Sequence, residues 1–315
     1  MEAYKKLGRL AKEPMTPQAI QEIKKAIKGS ASLVASRAAD IAGDQELRDL
    51  TPDMTLAFRK FMENGATADK GCRAKIAILK ALNKLEYTNW DIFLAGAFYV
   101  QTEPGFGASD DTAAGVRSEC AFGLARTNYV DAHYVLADMM VDAVRSVRVS
   151  AVKAITYIGA PEGELMLRVK ALCGDEPEVL GECLLGLMTM SPTRSLDFVA
   201  RFLKERPPVM EGAAIALGSS HLPEALDVLQ RFWDRNPFPD TRRSLVLPIA
   251  LIRSDEAFEF LVRTVREAQP TVAADAVSAL RLYLGEPYTK QIQAAVKTRT
   301  DPEIQQRFAQ EFEVE

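Results

Sequence analysis

The chain has 315 residues, 48% of them hydrophobic and 26% charged, with a net charge of −4 and a pI near 5.5. This is the composition of a core-forming globular chain, and it excludes disorder and fibrous repeats. The acidic balance argues against a dedicated nucleic-acid binder, which needs surplus Lys and Arg to displace phosphate counterions.

The opening stretch MEAYKKLGRLAKE lacks the apolar core of a signal peptide, and the longest apolar run, LVLPIALI at 245–252, is far short of a membrane span. A cytoplasmic protein without a membrane segment is expected. The first 30 residues are basic, with Lys5, Lys6, Arg9, Lys12, Lys24, Lys25 and Lys28 against Glu2, Glu13 and Glu22. Two loosely patterned helical units follow, one at Val34 with Ala38 and Ile41, the other at Cys72 with Ile76 and Leu79.

Before the next unit comes an insertion, YVQTEPGFGASDDTAAG at 99–115. Long loops inside a compact repeat array are uncommon and often functional. Phe106 stands between two glycines, with Glu103 and Asp110 nearby, so these three are candidate partner-binding residues. The competing account tucks Phe106 onto the fold while Asp110 or Asp111 caps the helix that begins near Thr112. Deleting 102–109 is expected to leave stability nearly intact. No calcium loop is present, and GFGASD lacks the third glycine of a dinucleotide fingerprint.

From Val116 the pattern becomes regular. A branched residue is followed by small residues four and seven positions on, then by a large apolar one: Val147, Ala151, Ala154 and Ile155. The pattern restarts at 116, 147, 179, 209 and 272, with a degenerate copy at 241 (Leu245, Pro248, Ile249) and a looser one at 304 (Phe308, Phe312), at intervals of 30 to 32 residues. So constant a period is repeat architecture. Apolar steps of three and four place these residues on one helical face, and no alternating strand pattern is found. Each unit reads as a helical hairpin that must bury its apolar face on its neighbours. The fold class is therefore all-α, an α-solenoid of about nine hairpins in one elongated domain, irregular over 15–115 and regular over 116–313. Pro248 is expected to kink or shorten its helix.

The second helix of four successive units carries an acid one turn before an arginine: Glu164 and Arg168, Asp197 and Arg201, Asp227 and Arg231, Glu259 and Arg263. Aligned from unit to unit, they form one stripe, a candidate partner-binding surface. The alternative is four self-neutralised surface pairs, each contributing about 0.3–0.5 kcal/mol.

The pattern resembles the HEAT-repeat family, in the short form called HEAT-like repeats of the bilin-lyase type. That family often places an Asp six residues before the first helix's Arg, as Asp111 stands before Arg117 and Asp142 before Arg148. The resemblance implies that these four residues form a ladder from repeat to repeat, and that the second helices line a concave face. It also implies that the chain is a non-enzymatic scaffold for a protein or peptide, the commonest use of such a fold. Two alternatives stand beside it. One is an accessory or lyase-like protein gripping a small chromophore or peptide. The other is a nucleic-acid binder resembling helical-repeat DNA glycosylases, for which only Lys70, Arg73, Lys75, Lys80 and Lys84 offer a basic surface.

Catalytic chemistry finds little footing. His133 and His221 stand 88 residues apart, on a helix surface and in an inter-helix turn, and the chain has none of the paired His-Glu dipeptides of hydroxylases built from HEAT-like repeats. The four cysteines form no CxxC pair, and Cys120 and Cys183 fill small-residue positions suited to buried, inert thiols. No cofactor, metal or catalytic residue is expected.

Overall fold

The computed structural model describes residues 2–105, 109–283 and 285–312. The fold is an α-solenoid, and the chain divides into two compact units, 1–163 and 164–315.

The first unit runs α1 (Glu2–Leu10), α2 (Pro17–Lys28), α3 (Ser32–Asp44), α4 (Thr51–Ala68), α5 (Arg73–Lys84) and α6 (Asp91–Gly96), then β1 (Thr102–Pro104) and β2 (Ser109–Asp111), then α7 (Ala114–Arg126), α8 (Ala132–Met139) and α9 (Arg145–Ile158). Here α3, α5, α7 and α9 pack side by side as first helices. In the second unit the first helices are α11 (Pro177–Met190), α13 (Val209–Ser219), α15 (Pro239–Leu251), α17 (Pro270–Ala279) and α19 (Pro302–Phe312). Its second helices are α10 (Pro161–Cys173), α12 (Pro192–Ala200) with a 3-10 turn at Arg201–Lys204, α14 (Pro223–Arg235), α16 (Asp255–Glu267) and α18 (Glu286–Lys297).

Proline sets most starts in this part of the chain. Pro161, Pro177, Pro192, Pro223, Pro239, Pro270 and Pro302 each open a helix, where the missing N–H costs nothing and the fixed φ is already helical. Left-handed residues set the turns after the first helices: Glu46, Glu86, Asn128, Gly159, His221 and Arg253 all have φ between 51° and 69°.

Small residues let the first helices approach to backbone contact. A Cβ on Gly212 would meet the Gly181 Cα at 3.1 Å, and one on Gly218 would collide with the main chain at Pro248. Pro248 therefore does not shorten its helix: α15 runs three residues beyond it, and the proline backbone is the surface on which Gly218 rests. Side-chain ties cross the same row, with Arg243 on Asp275 at 2.7 Å and Ser244 on Glu211 at 2.9 Å. Among the second helices of this unit, α16 and α18 come closest.

The short ribbon of β1 and β2 departs from the all-helical expectation. It pairs Glu103 with Asp110, inside the segment read from sequence as a loop.

Candidate functional site: an arginine and aromatic face on the second helices

In only one of the four acid and arginine pairs do the carboxylate and guanidinium meet. Arg168 Nε donates to Glu164 at 3.2 Å, and Glu164 also accepts from the Ser191 hydroxyl at 2.6 Å and from Arg194 at 3.2 Å. Those partners, Ser191 foremost, hold the Glu164 carboxyl below the usual range even though the residue is buried. Glu164 thus ties α10 to α12 and is not available to a partner, which corrects the expectation for that residue. Arg231 bonds the main-chain oxygen of Asp227, at 3.1 Å, rather than its carboxylate. Arg201 and Arg263 make no ion pair among the described residues; they lie over the rings of Phe198 and Phe260, 5.9 and 5.4 Å from the centroids. Arg168 shares Phe198 at 4.7 Å, and Arg242 covers Trp233 at 5.1 Å.

Magnitudes account for the choice. An exposed pair one turn apart contributes about 0.3–0.5 kcal/mol, and a guanidinium over a ring contributes at least as much, about 0.5–1 kcal/mol, while covering apolar surface. Phe198, Trp233 and Phe260 are buried, and Trp233 stands edge-on to Phe260 at 5.3 Å. The result is an exposed row of Arg201, Arg231 and Arg263, the first and last lying over aromatic rings, with Asp197, Asp227 and Glu259 also exposed beside it.

Between α10 and the 192–204 segment lies a cavity of about 400 Å³ lined by Ala171, Leu172, Leu180, Phe198, Phe202 and Val209, together with Arg201 and Glu205. Beside it α10 exposes Leu165, Val169 and Leu172 by 66%, 60% and 69%, at steps of four and three on one face. The opposite face of α10 buries Leu167 and Ala171. The sequence did carry the signal: ELMLRVKALC is apolar on two sides, where a solvent-facing second helix should be apolar on one.

In the insertion of the first unit, Glu103 is packed, not displayed. Glu103 is 5% exposed and accepts from the Gly71 N–H at 2.6 Å, the Gln101 amide at 2.7 Å and the Thr112 hydroxyl at 2.7 Å. These donors, Gln101 foremost, hold its carboxyl below the ordinary range. The binding role expected of Glu103 is therefore replaced by a structural one. Asp110 is exposed, as a binding residue must be. Phe106 lies outside the described residues. Gln101 also donates to the main chain of Asp69 at 2.9 Å. The Asp69 carboxylate caps α5 through the amides of Ala74 and Lys75 and meets the Lys75 ammonium at 3.2 Å, with both side chains fully buried. Deleting 102–109 would remove Glu103 and its three hydrogen bonds, so a loss of stability is now expected in place of a neutral deletion.

Arg117 stands between the two ladder carboxylates, 2.7 Å from Asp111 and bidentate to Asp142 at 2.8 and 3.0 Å. Asp111 also accepts the Ala113 N–H at 2.9 Å, and Asp142 that of Val144 at 2.8 Å, so each acid caps a helix start while holding the arginine. Arg148 donates to the main-chain oxygens of Asp142 and Ala143.

No known family's sequence pattern matches the chain, and no curated protein does. Among solved structures it is similar to an engineered protein, with a TM-score of 0.41 and 16% identity over 99% of this chain and 95% of that one. It is also similar to human deoxyhypusine hydroxylase in complex with glycerol, with a TM-score of 0.32 and 15% identity over 77% of this chain and 97% of that one.

His221 occupies its turn with Nδ1 3.4 Å from the Ile252 oxygen. His133 is half-buried rather than on the surface, its Nε2 without a hydrogen-bond partner among the described residues. Cys120 and Cys183 are buried, and burial pushes both thiols up, Cys183 to about 12. Part of the basic amino-terminal surface is paired with acids, Lys6 with Glu22, Lys24 and Lys28 with Asp53 and Lys84 with Asp44, and Lys75 lies inside the core. No helix among the described residues is long and apolar enough to cross a membrane.

Proposed function

We propose that the chain is a non-catalytic, HEAT-like interaction scaffold that holds a protein partner along the second-helix face of residues 164–315. One observation carries the reading: Arg201, Arg231 and Arg263 repeat on that face, exposed and without a carboxylate partner among the described residues. Arginines lying on aromatic rings are the residue types enriched at the centre of protein interfaces, where a rigid apolar floor and a planar set of donors cost little entropy to order. The acids Asp197, Asp227 and Glu259 beside them give the row an alternating charge, which fixes the register of a partner more than it adds affinity. The net charge of −4 disfavours the nucleic-acid alternative, whose affinity would depend on surplus cations.

Affinity capture from native lysate tests this directly. Arg201→Glu, Arg231→Glu and Arg263→Glu together, all at exposed positions, should abolish capture with the helical circular dichroism unchanged. Undiminished capture would reject the face.

A further inference from the structure

We infer that the exposed side of α8 and the start of α6, in the first unit, receive a basic amphipathic helix of a protein partner. This surface stands apart from the arginine face of residues 164–315 and does not depend on it. The first ground is exposure. Tyr134 stands on α8 and is 76% exposed, while Val130 and Val141, at its two ends, are 86% and 75% exposed. On its other side α8 buries Ala132, Val135, Leu136 and Met139, so it is apolar all round, as a helix covered by a partner is. Trp90, exposed at the start of α6, joins this surface through its ring, 4.6 Å from that of Tyr129. Trp90 and Tyr134 stand 18 residues after the repeat starts Cys72 and Val116, the position that Asp197, Asp227 and Glu259 hold in later repeats. The stripe that is acidic in the second unit is therefore aromatic here. Large side chains spaced about one turn apart form the ridge that a second helix packs against.

Charge selects the occupant. Over residues 85–144 every exposed charged side chain is an acid: Glu86, Asp91, Asp110, Asp131 and Asp138. Asp91 and Asp131 adjoin Trp90 and Val130 in sequence, and Asp138 lies one turn beyond Tyr134 on the same side of α8. The two arginines of this stretch are turned inward. Arg117 is held between Asp111 and Asp142, and Arg126 lies over the Phe93 ring with its guanidinium on the Tyr87 oxygen. Cations that flank the stretch are engaged as well: Lys84 with Asp44 at 2.8 Å, Arg48 with the Leu85 oxygen at 2.8 Å and Glu86 at 3.4 Å, and Arg145 within the fold. The apolar surface is thus bordered by acids alone. A helix with lysines and arginines flanking its apolar stripe complements it, and one with glutamates there is repelled. An anionic membrane surface or a nucleic acid would meet the same repulsion.

The test uses the full chain and two fluorescein-labelled peptides of about 18 residues, long enough for five turns. Both carry the same leucine stripe, one with lysine and one with glutamate on the remaining face. Fluorescence anisotropy should show the lysine peptide binding at least about tenfold more tightly, with the gap closing as salt is raised. Tyr134→Ser with Val141→Ser, both at exposed positions, should weaken its binding by about tenfold or more. Asp131→Lys with Asp138→Lys should erase or invert the preference between the peptides. Glu63→Lys with Glu267→Lys makes the same change in net charge at exposed positions away from this surface and should leave the preference in place. Equal affinity for the two peptides, indifference to Tyr134→Ser with Val141→Ser, or an equal loss of preference in both lysine double variants overturns the inference. So does a concentration-dependent dimer abolished by Tyr134→Ser with Val141→Ser in sedimentation, which would make a second copy the occupant, or tight binding of phosphatidylserine vesicles, which would make it a membrane.

Discussion

The Asp69 and Lys75 pair offers a sharp test of how the first unit is held together. Both side chains are fully buried, so neither charge can be left alone cheaply. Asp69 accepts the amides of Ala74 and Lys75 at 3.0 Å each as well as the ammonium at 3.2 Å. Lys75 has besides Asp69 only the Phe61 oxygen at 3.3 Å and the Tyr99 ring at 5.5 Å. Lys75→Met leaves a carboxylate still bonded by two amides and should cost about 3 kcal/mol, the low end for a broken buried pair. Asp69→Ala strands an ammonium with one carbonyl and also removes the helix cap, so about 4–6 kcal/mol is expected. Asp69→Ser with Lys75→Met keeps a capping oxygen and buries no charge, and it should return to within about 1–2 kcal/mol of the parent. Urea unfolding followed by circular dichroism, with hydrogen exchange of the α5 amides, reads all three. A Lys75→Met cost below about 1 kcal/mol, or a double variant no better than Asp69→Ala, would refute the reasoning.

Further outcomes follow from the same contacts. The Glu103 carboxyl titrates below its ordinary value because Gln101, Gly71 and Thr112 donate to its ionised form, so its stabilisation is present above the unfolded pKa and lost as pH falls through the folded one. Glu103→Gln should therefore be less stable than the parent at pH 7, and thermal melts should show the difference shrinking from about pH 5 downward. Deleting 102–109 should cost stability at pH 7, readable as a lower melting temperature. A thiol reagent on the native chain at pH 8 should label Cys173, which is exposed, and spare buried Cys72, Cys120 and Cys183; mass spectrometry of the peptides checks it.

Fold and site were unequally legible in the sequence. All nine expected repeat starts fall in or at the edge of described first helices; in five of them, at 116, 147, 179, 209 and 272, small residues at steps four and seven give the close approach that stacked helices require. Pro248 misled because a proline's effect on a helix depends on what packs against it, here Gly218 of the preceding first helix. Lys75 read as one of several surface lysines, since the sequence does not reveal that Asp69, six residues earlier, folds back over the start of its helix. The ribbon escaped notice because two three-residue strands give no period to find. The stripe arginines were visible as a pattern, but their partners were not. Spacing suggested carboxylates, whereas the choice of rings depended on where Phe198 and Phe260 lie in three dimensions. The outward face of α10 was readable from ELMLRVKALC alone.

Side-chain footprinting by hydroxyl radicals, on the chain alone and with a partner captured from native lysate, tests the binding face most directly. Leu165, Val169, Leu172 and Phe202 should lose reactivity when the partner is bound, while exposed Leu56 of the first unit keeps its own. Protection of Leu56 with α10 unchanged would contradict the assignment.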